Sequence, residues 1–138
     1  MKNAFVDTNV LVYAADESVE ANRKRAIARE LLRTPDLQIS VQVLNEFVAS
    51  ARNPGKLGLS RESENDWLKG WLAMPIATLT PGLFIESIRI HREYQLSHWD
   101  SLIVATALSL NCPALYTEDM QHGQIIEGME VINPFHEE

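Results

Sequence analysis

The sequence predicts an α/β fold in which a central parallel sheet of four to five strands is flanked by helices on both faces. Short apolar runs that end in polar turn residues are typical of the buried strands of such a sheet. Longer stretches with helical spacing separate these runs, and this alternation favours parallel pairing. The chain has 138 residues, an ordinary size for one domain, so we expect residues 1–138 to form a single domain.

The first predicted strand covers residues 4–6 and ends in the polar turn 7–9. Apolar residues at helical spacing then follow from Val10 to Ala14. Residues 22–32 form an amphipathic pattern with a basic side, which predicts a second helix. A Thr-Pro-Asp sequence ends this helix.

Residues 37–41 are short and partly β-branched, so they predict the second strand. The next helix is predicted over residues 43–51, with Ser40 as its cap and an Asn-Pro-Gly sequence at its end. A further helix is predicted over residues 60–74, and residues 76–79 form the third predicted strand.

Pro81 opens another helix, because proline is favoured in the first helical turn. Residues 101–110 are rich in Ala, Leu and Val and nearly free of charge, which predicts a buried central helix. The fourth strand is predicted over residues 114–116, and a weaker fifth over residues 129–132. In the C-terminal tail, Phe135 is expected to dock on the body of the protein.

The formal net charge of −7 argues against a broad basic surface that holds duplex DNA through its phosphates. It is compatible with nucleic-acid chemistry at a site where a metal ion supplies positive charge. The single Cys112 cannot form an intramolecular disulfide, and no stretch approaches the ~20 apolar residues that span a bilayer. We therefore expect a cytoplasmic protein with a buried cysteine and no membrane segment.

Four acidic residues are predicted near the carboxyl edge of the sheet, where parallel sheets form their ligand crevice. Asp7 follows the first strand, and Asp119 follows the fourth. Asp100 lies at or just before the first turn of the buried helix, and Glu46 lies one turn into the helix after the second strand. Converging carboxylates are costly without a counter-charge, which favours a hard divalent ion such as Mg²⁺ or Mn²⁺.

Each of these acids also has a purely structural interpretation. Asp7 suits an Asx turn, and Asp100 suits a helix cap. Glu46 suits a solvated helix face, and Asp119 an exposed turn beside Glu118. Other kinds of site are not indicated, because the sequence has no Gly-rich phosphate loop and its four histidines lack zinc-binding spacing.

Four segments resemble the successive acidic motifs of PIN-domain ribonucleases, in the same order. They are residues 6–13 (VDTNVLVY), 45–47 (NEF), 99–105 (WDSLIVA) and 116–120 (YTEDM). The likeness covers nearly the whole chain. It is greatest to the VapC-type toxins of toxin-antitoxin pairs, which are single PIN domains of about this size.

This resemblance implies that the catalytic and metal-binding acids are Asp7, Glu46, Asp100 and Asp119. Either Glu118 or Asp119 could supply the fourth carboxylate, and Thr117 corresponds to a small hydroxyl residue beside the site. The resemblance further implies a Mg²⁺- or Mn²⁺-dependent endoribonuclease that cuts RNA, is usually a homodimer and is held inactive by a cognate antitoxin.

Basic side chains on the second helix and near the second motif are candidates for contacts with RNA phosphates. They are Arg23, Lys24, Arg25, Arg29, Arg52 and Lys56. For the first four, a solvated helix face explains the pattern equally well.

Two other functions are compatible with the pattern. Receiver-like and phosphoryl-transfer domains also place acids over a parallel sheet, but Asp7-Thr8-Asn9 lacks the second aspartate of a D-x-D motif, and no lysine follows the fourth strand. The other alternative is a catalytically inactive protein-interaction module, although such a module has no physical need to keep like charges together.

Overall fold

Helices and strands alternate along most of the computed structural model, which describes residues 3–137. The helices are α1 (Thr8–Ala15), α2 (Asn22–Leu31), α3 (Val41–Arg52), α4 (Arg61–Trp71), α5 (Pro81–Tyr94) and α6 (His98–Ser109). The strands are β1 (Ala4–Val6), β2 (Leu37–Ser40), β3 (Ile76–Ala77), β4 (Ala114–Tyr116), β5 (Ile125–Ile126) and β6 (Met129–Ile132). A short 3₁₀ turn at Val19–Ala21 precedes α2.

The strands form one sheet in the order β3-β2-β1-β4-β6-β5. All neighbours from β3 to β6 are parallel, and β5 runs antiparallel to β6 at the edge. The predicted α/β class is confirmed, and each predicted strand is present. β5 is a sixth strand that the sequence did not predict. Its two residues are too few to produce a recognisable alternation of apolar and polar side chains.

The core of the protein lies around β1 and α6. All three residues of β1 are buried, as expected of a central strand that is covered on both faces. Seven consecutive residues of α6, from Ser101 to Ala107, are buried as well. This confirms the predicted buried helix, although α6 begins at His98, before the predicted start.

Side-chain caps begin the helices that carry the candidate acids. The Asp7 carboxylate accepts the Thr8 amide at 2.7 Å, so α1 starts directly after β1 and not after the three-residue turn that the sequence predicted. Ser40 caps α3 as predicted, and Ser97 caps α6 by accepting the Asp100 amide at 3.1 Å. Such caps satisfy amide groups that have no partner within the helix.

The C-terminal tail is attached to the body through Phe135. This side chain is buried and packs edge-on against Tyr13, with 4.9 Å between the ring centroids. The predicted docking of Phe135 is therefore confirmed.

Cys112 is buried, as predicted, and burial raises the pKa of its thiol to about 11. A thiol with so high a pKa carries almost no thiolate at neutral pH, so it behaves as a small apolar side chain.

The helices within residues 3–137 include none with the length and apolar character that crossing a bilayer requires.

Candidate active site

Asp7 lies at the carboxyl end of β1, with 3% of its surface exposed. Its backbone N–H donates to the Tyr116 carbonyl at 3.0 Å, which extends the pairing of β1 with β4. Its Oδ1 accepts from the Thr8 amide at 2.7 Å, and its Oδ2 accepts from the Thr117 hydroxyl at 2.8 Å. The backbone bond places Asp7 at the edge of the sheet, and the two bonds to its side chain fix the carboxylate there.

Two further aspartates reach Asp7 from other elements. Asp100 belongs to the first turn of α6 and is partly buried. Asp119 follows β4 in an exposed turn, and its Oδ2 accepts from the Asn9 side chain at 3.2 Å. One carboxylate oxygen from each of Asp7, Asp100 and Asp119 lies within 4.8 Å of the other two. We call these three residues the aspartate cluster.

The aspartate cluster has no basic counterpart in the part of the chain that the structure describes. Within residues 3–137, no lysine or arginine forms an ion pair with any of its three carboxylates. Like charges at this separation repel, and the repulsion is relieved by protonation or by a cation. Carboxylate oxygens are the ligands that Mg²⁺ and Mn²⁺ prefer, so the donor set fits a hard divalent ion.

The repulsion and the burial together change the titration of the cluster. Burial, with smaller effects of the charges on Asp119 and Glu46, raises the pKa of Asp7 to about 7, although the hydrogen bonds from Thr117 and Thr8 act in the opposite direction. The pKa of Asp100 is also raised, chiefly by burial and then by the charge of Asp119. Without a cation, Asp7 is therefore protonated in a large fraction of molecules at neutral pH.

Glu46 lies beside the aspartate cluster, in the second turn of α3, and is partly buried. Its Oε1 accepts from the Thr8 hydroxyl at 2.7 Å, and its Oε2 lies 3.5 Å from the Gln42 amide nitrogen. The same nitrogen donates to the Trp99 carbonyl at 3.1 Å. Gln42 therefore links α3 to the turn that carries Asp100.

Glu118 and Asp119, which the sequence left as alternatives, have different surroundings. The Glu118 carboxylate accepts from the Tyr13 hydroxyl at 2.7 Å and forms an ion pair with Lys24. The Asp119 carboxylate belongs to the aspartate cluster. The geometry thus favours Asp119 as the acid that faces a cation.

Thr117 and Asn9 hold the acids in position. Thr117 is fully buried, and its hydroxyl donates to Asp7 while it accepts from the Asp119 amide at 3.1 Å and from the Asn9 side chain at 3.2 Å. Asn9 donates to Asp119 as well, and it accepts from the Glu118 amide at 3.2 Å. The positions of Asp7 and Asp119 consequently depend on the Thr117 hydroxyl and the Asn9 side-chain amide.

The aspartate cluster and Glu46 line a cleft of about 630 Å³. The other polar lining residues come from α1, from the end of α3 and from the loop after it. They are Thr8, Asn9, Tyr13, Asp16, Ser50, Asn53 and Lys56. Asp16, Ser50 and Asn53 are cleft residues that were not predicted from the sequence. The spacing of Asn9, Tyr13 and Asp16 was the available signal for Asp16, because Asp16 ends α1 on the side that carries Asn9 and Tyr13.

Most of the basic side chains that the sequence suggested for RNA binding are used within the fold. Ion pairs join Arg23 to Glu137, Lys24 to Glu118, Arg29 to Glu17 and Arg52 to Glu64. Arg25 donates to the carbonyl oxygens of Asp16 and Ser18. The α2 residues thus attach this helix to the loop after α1, to the turn after β4 and to the tail, whereas Lys56 lines the cleft.

The sequence profile of the PIN domain matches residues 4–126. Among curated proteins, none gives a significant sequence match.

Several solved structures have the same fold. A chain of a toxin-antitoxin complex from Klebsiella pneumoniae has a TM-score of 0.71 and 22% identity, and the match covers 96% of this chain and 98% of that one. VapC20 of Mycobacterium tuberculosis, described as a sarcin-ricin loop cleaving toxin, has a TM-score of 0.65 and 14% identity, and the match covers 81% of this chain and 86% of that one. A chain of a DNA-bound VapBC from Salmonella typhimurium has a TM-score of 0.66 and 20% identity, and the match covers 95% of this chain and 97% of that one. At these identities the likeness establishes the fold.

Proposed function

The chain belongs to the PIN-domain family, and from this premise we propose that it is a divalent-metal-dependent endoribonuclease, the toxin of a type II toxin-antitoxin pair. The observation that carries the proposal is the aspartate cluster, whose carboxylate oxygens lie within 4.8 Å of one another in an open cleft. A helix cap or an exposed turn has no need of such convergence. A cation that binds a phosphate does need it, because several carboxylates must share the same ion.

The ligands that we assign to a Mg²⁺ or Mn²⁺ ion are Asp7, Asp100 and Asp119, with Glu46 as the fourth acid of the site. When bound, such an ion supplies Lewis-acid polarisation of a phosphate oxygen and lowers the pKa of water. The high pKa of Asp7 supports this assignment, because a buried carboxylate without a counter-charge is stabilised when a cation binds it.

The remaining chemistry belongs to the side chains of the protein. Thr8 and Thr117 donate hydrogen bonds to Glu46 and Asp7, respectively, and so orient the acids toward the cleft. Oε1 of Glu46 is occupied by the Thr8 hydroxyl, whereas Oε2 has only a long contact with Gln42. We assign Oε2 of Glu46 as the atom that accepts a proton from the attacking water, the role of a general base.

RNA as the substrate and an antitoxin as the partner are part of the same proposal. The Mycobacterium tuberculosis structure is described as that of a sarcin-ricin loop cleaving toxin, and the Klebsiella pneumoniae structure as a toxin-antitoxin complex. These descriptions support a toxin that pairs with an antitoxin. We propose in addition that the protein is cytoplasmic and that its cognate antitoxin blocks its activity.

We also propose that the protein is a homodimer. Phe84, Ile85 and Trp99 on α5 and α6 are 53%, 68% and 61% exposed. Side chains of this size are favourably removed from water at an interface between copies.

The test is cleavage of total RNA by the purified protein in the presence of Mn²⁺, followed on gels and by mapping of the new ends. We expect cleavage by the wild-type protein, its loss in EDTA, and its loss in the double variant Asp7→Asn/Asp100→Asn, which should remain folded. A double variant that cuts RNA at the wild-type rate would refute the assignment.

A matched pair of variants tests the choice between adjacent acids. Calorimetry with Mn²⁺ should detect binding by Glu118→Gln and none by Asp119→Asn, because only Asp119 belongs to the aspartate cluster. A wild-type protein that binds no Mn²⁺ at millimolar concentration would favour the inactive interaction module. Transfer of a phosphoryl group from a small phosphodonor to Asp7 would favour the receiver-like alternative.

A further inference from the structure

Lys56 is the basic residue among the described charged residues that line the cleft. Of the described residues that line it, the other charged ones all carry carboxylates. They are Asp7, Asp16, Glu46, Asp100 and Asp119. A polyanion that enters the cleft therefore meets one ammonium group and five carboxylates.

The charge of Lys56 is not used within the described part of the chain. The ion pairs between residues 3 and 137 involve other basic residues, and none of them includes Lys56. Its neighbour Arg52 shows the contrast, because it donates hydrogen bonds of 2.8 and 3.1 Å to both carboxylate oxygens of Glu64. Lys56 thus has three N–H donors available for a ligand.

The backbone that carries Lys56 is held in place. The Lys56 and Gly58 amides both donate to the Asn53 carbonyl, at 2.9 and 3.0 Å. Gly58 has a φ of +53°, and a Cβ at this position would lie 3.3 Å from the backbone of the same loop, so glycine suits the turn. Because the Leu57 and Leu59 amides also donate to carbonyls of α3, the backbone of Lys56 is in a fixed relation to the helix that carries Glu46.

We infer that Lys56 binds a phosphate of the RNA strand adjacent to the phosphate that is cleaved, an inference that rests on the proposed ribonuclease function. An ion held by Asp7, Asp100 and Asp119 would supply the positive charge at the scissile phosphate. The ammonium group of Lys56, which lies elsewhere in the cleft, therefore contacts a neighbouring phosphate. An ammonium group contacts phosphate without reading a base. Lys56 therefore adds affinity for RNA of every sequence, provided that the strand extends beyond the scissile bond.

The test compares Lys56→Ala with the matched control Lys69→Ala, an exposed lysine in the last turn of α4 outside the cleft. Steady-state cleavage of a short single-stranded RNA is measured over a range of salt concentrations. We expect Lys56→Ala to raise KM about fivefold at low salt and to change the slope of log KM against log salt by about 0.7, the value for one phosphate contact on a single strand. Lys56→Arg should retain the wild-type slope, and Lys69→Ala should behave as the wild type.

Two further measurements separate this role from others. A dinucleotide with a single phosphate should be cleaved equally well by the wild type and Lys56→Ala, and calorimetry should give the same Mn²⁺ affinity for both. Three results would each overturn the inference: a Lys56→Ala variant with the wild-type KM and salt slope, an equal loss of activity on the dinucleotide, or weaker Mn²⁺ binding by the variant. In each case, RNA cleavage by the wild type would keep the proposed function intact. A wild-type protein that cleaves no RNA would overturn both.

Discussion

Replacement of Asp7 by asparagine should stabilise the metal-free protein at neutral and alkaline pH, although it removes a metal ligand. Burial raises the pKa of Asp7 from 3.8 to about 7, so the folded state binds this proton more tightly than the unfolded state does. The stabilisation that results is present in full below pH 3.8 and is lost as the pH rises to about 7. Above that pH, folding must bury an ionised carboxylate.

The magnitude follows from the change in pKa. A rise from 3.8 to about 7 corresponds to about 4 kcal/mol, at about 1.4 kcal/mol per pH unit. Asparagine has the same shape and no charge, so it avoids this cost, but it loses the acceptor for the Thr117 hydroxyl, which is worth about 1–2 kcal/mol. We therefore expect the variant to be about 1–2 kcal/mol less stable than the wild type near pH 4 and about 2–3 kcal/mol more stable near pH 8.

The assay is urea unfolding in EDTA, followed by tryptophan fluorescence at a series of pH values. The difference in the free energy of unfolding between the variant and the wild type should change sign between acid and alkaline pH. At alkaline pH, saturating Mn²⁺ should raise the stability of the wild type only, by about 2.7 kcal/mol at a hundredfold excess over Kd. A difference that stays constant across the whole pH range would refute the reasoning, because it would mean that Asp7 does not titrate in a buried environment.

Three further outcomes are expected. Thr117→Val keeps the volume of a fully buried side chain but removes the hydroxyl that supports Asp7 and Asp119, so calorimetry should find Mn²⁺ affinity about 10- to 100-fold lower; unchanged affinity would contradict this supporting role. Phe135→Ala should lower the free energy of unfolding by about 3 kcal/mol in urea titrations, because it empties a buried site against Tyr13; a loss under about 1 kcal/mol would mean that the tail is not docked. Mn²⁺ affinity should rise with pH, by up to about tenfold per unit, and level off above about 7, since the ion must displace the proton of Asp7; equal affinities at pH 5.5 and 7 would rule out this competition.

The carboxyl edge of the sheet could be predicted from the sequence because each candidate acid is attached to a local signal. Asp7 directly follows an apolar strand-like run, Asp119 lies in the turn after another, and Asp100 is in the first turn of a long apolar helix. These signals predict the edge of the sheet at which an acid lies. They do not predict which strands are neighbours, and the adjacency of β1 and β4 that brings Asp7 to Asp119 is a property of the complete fold.

The choice between Glu118 and Asp119 could not be made from local pattern, because it depends on residues from elsewhere in the chain. Glu118 is engaged by Tyr13 and Lys24, which belong to α1 and α2. The same reason explains why the sequence could not separate Lys56 from the other basic residues. Ion pairs such as Arg23 with Glu137 join distant parts of the chain, and neither helical spacing nor composition carries information about them.

A crystal soaked in Mn²⁺ tests most directly whether the aspartate cluster is a cation site. Anomalous scattering recorded at the manganese edge should give a peak in contact with oxygens of Asp7, Asp100 and Asp119, at metal–oxygen distances of about 2.0–2.2 Å. A cleft without such a peak at millimolar Mn²⁺, or one in which a lysine or arginine occupies the space between the three carboxylates, would contradict the account.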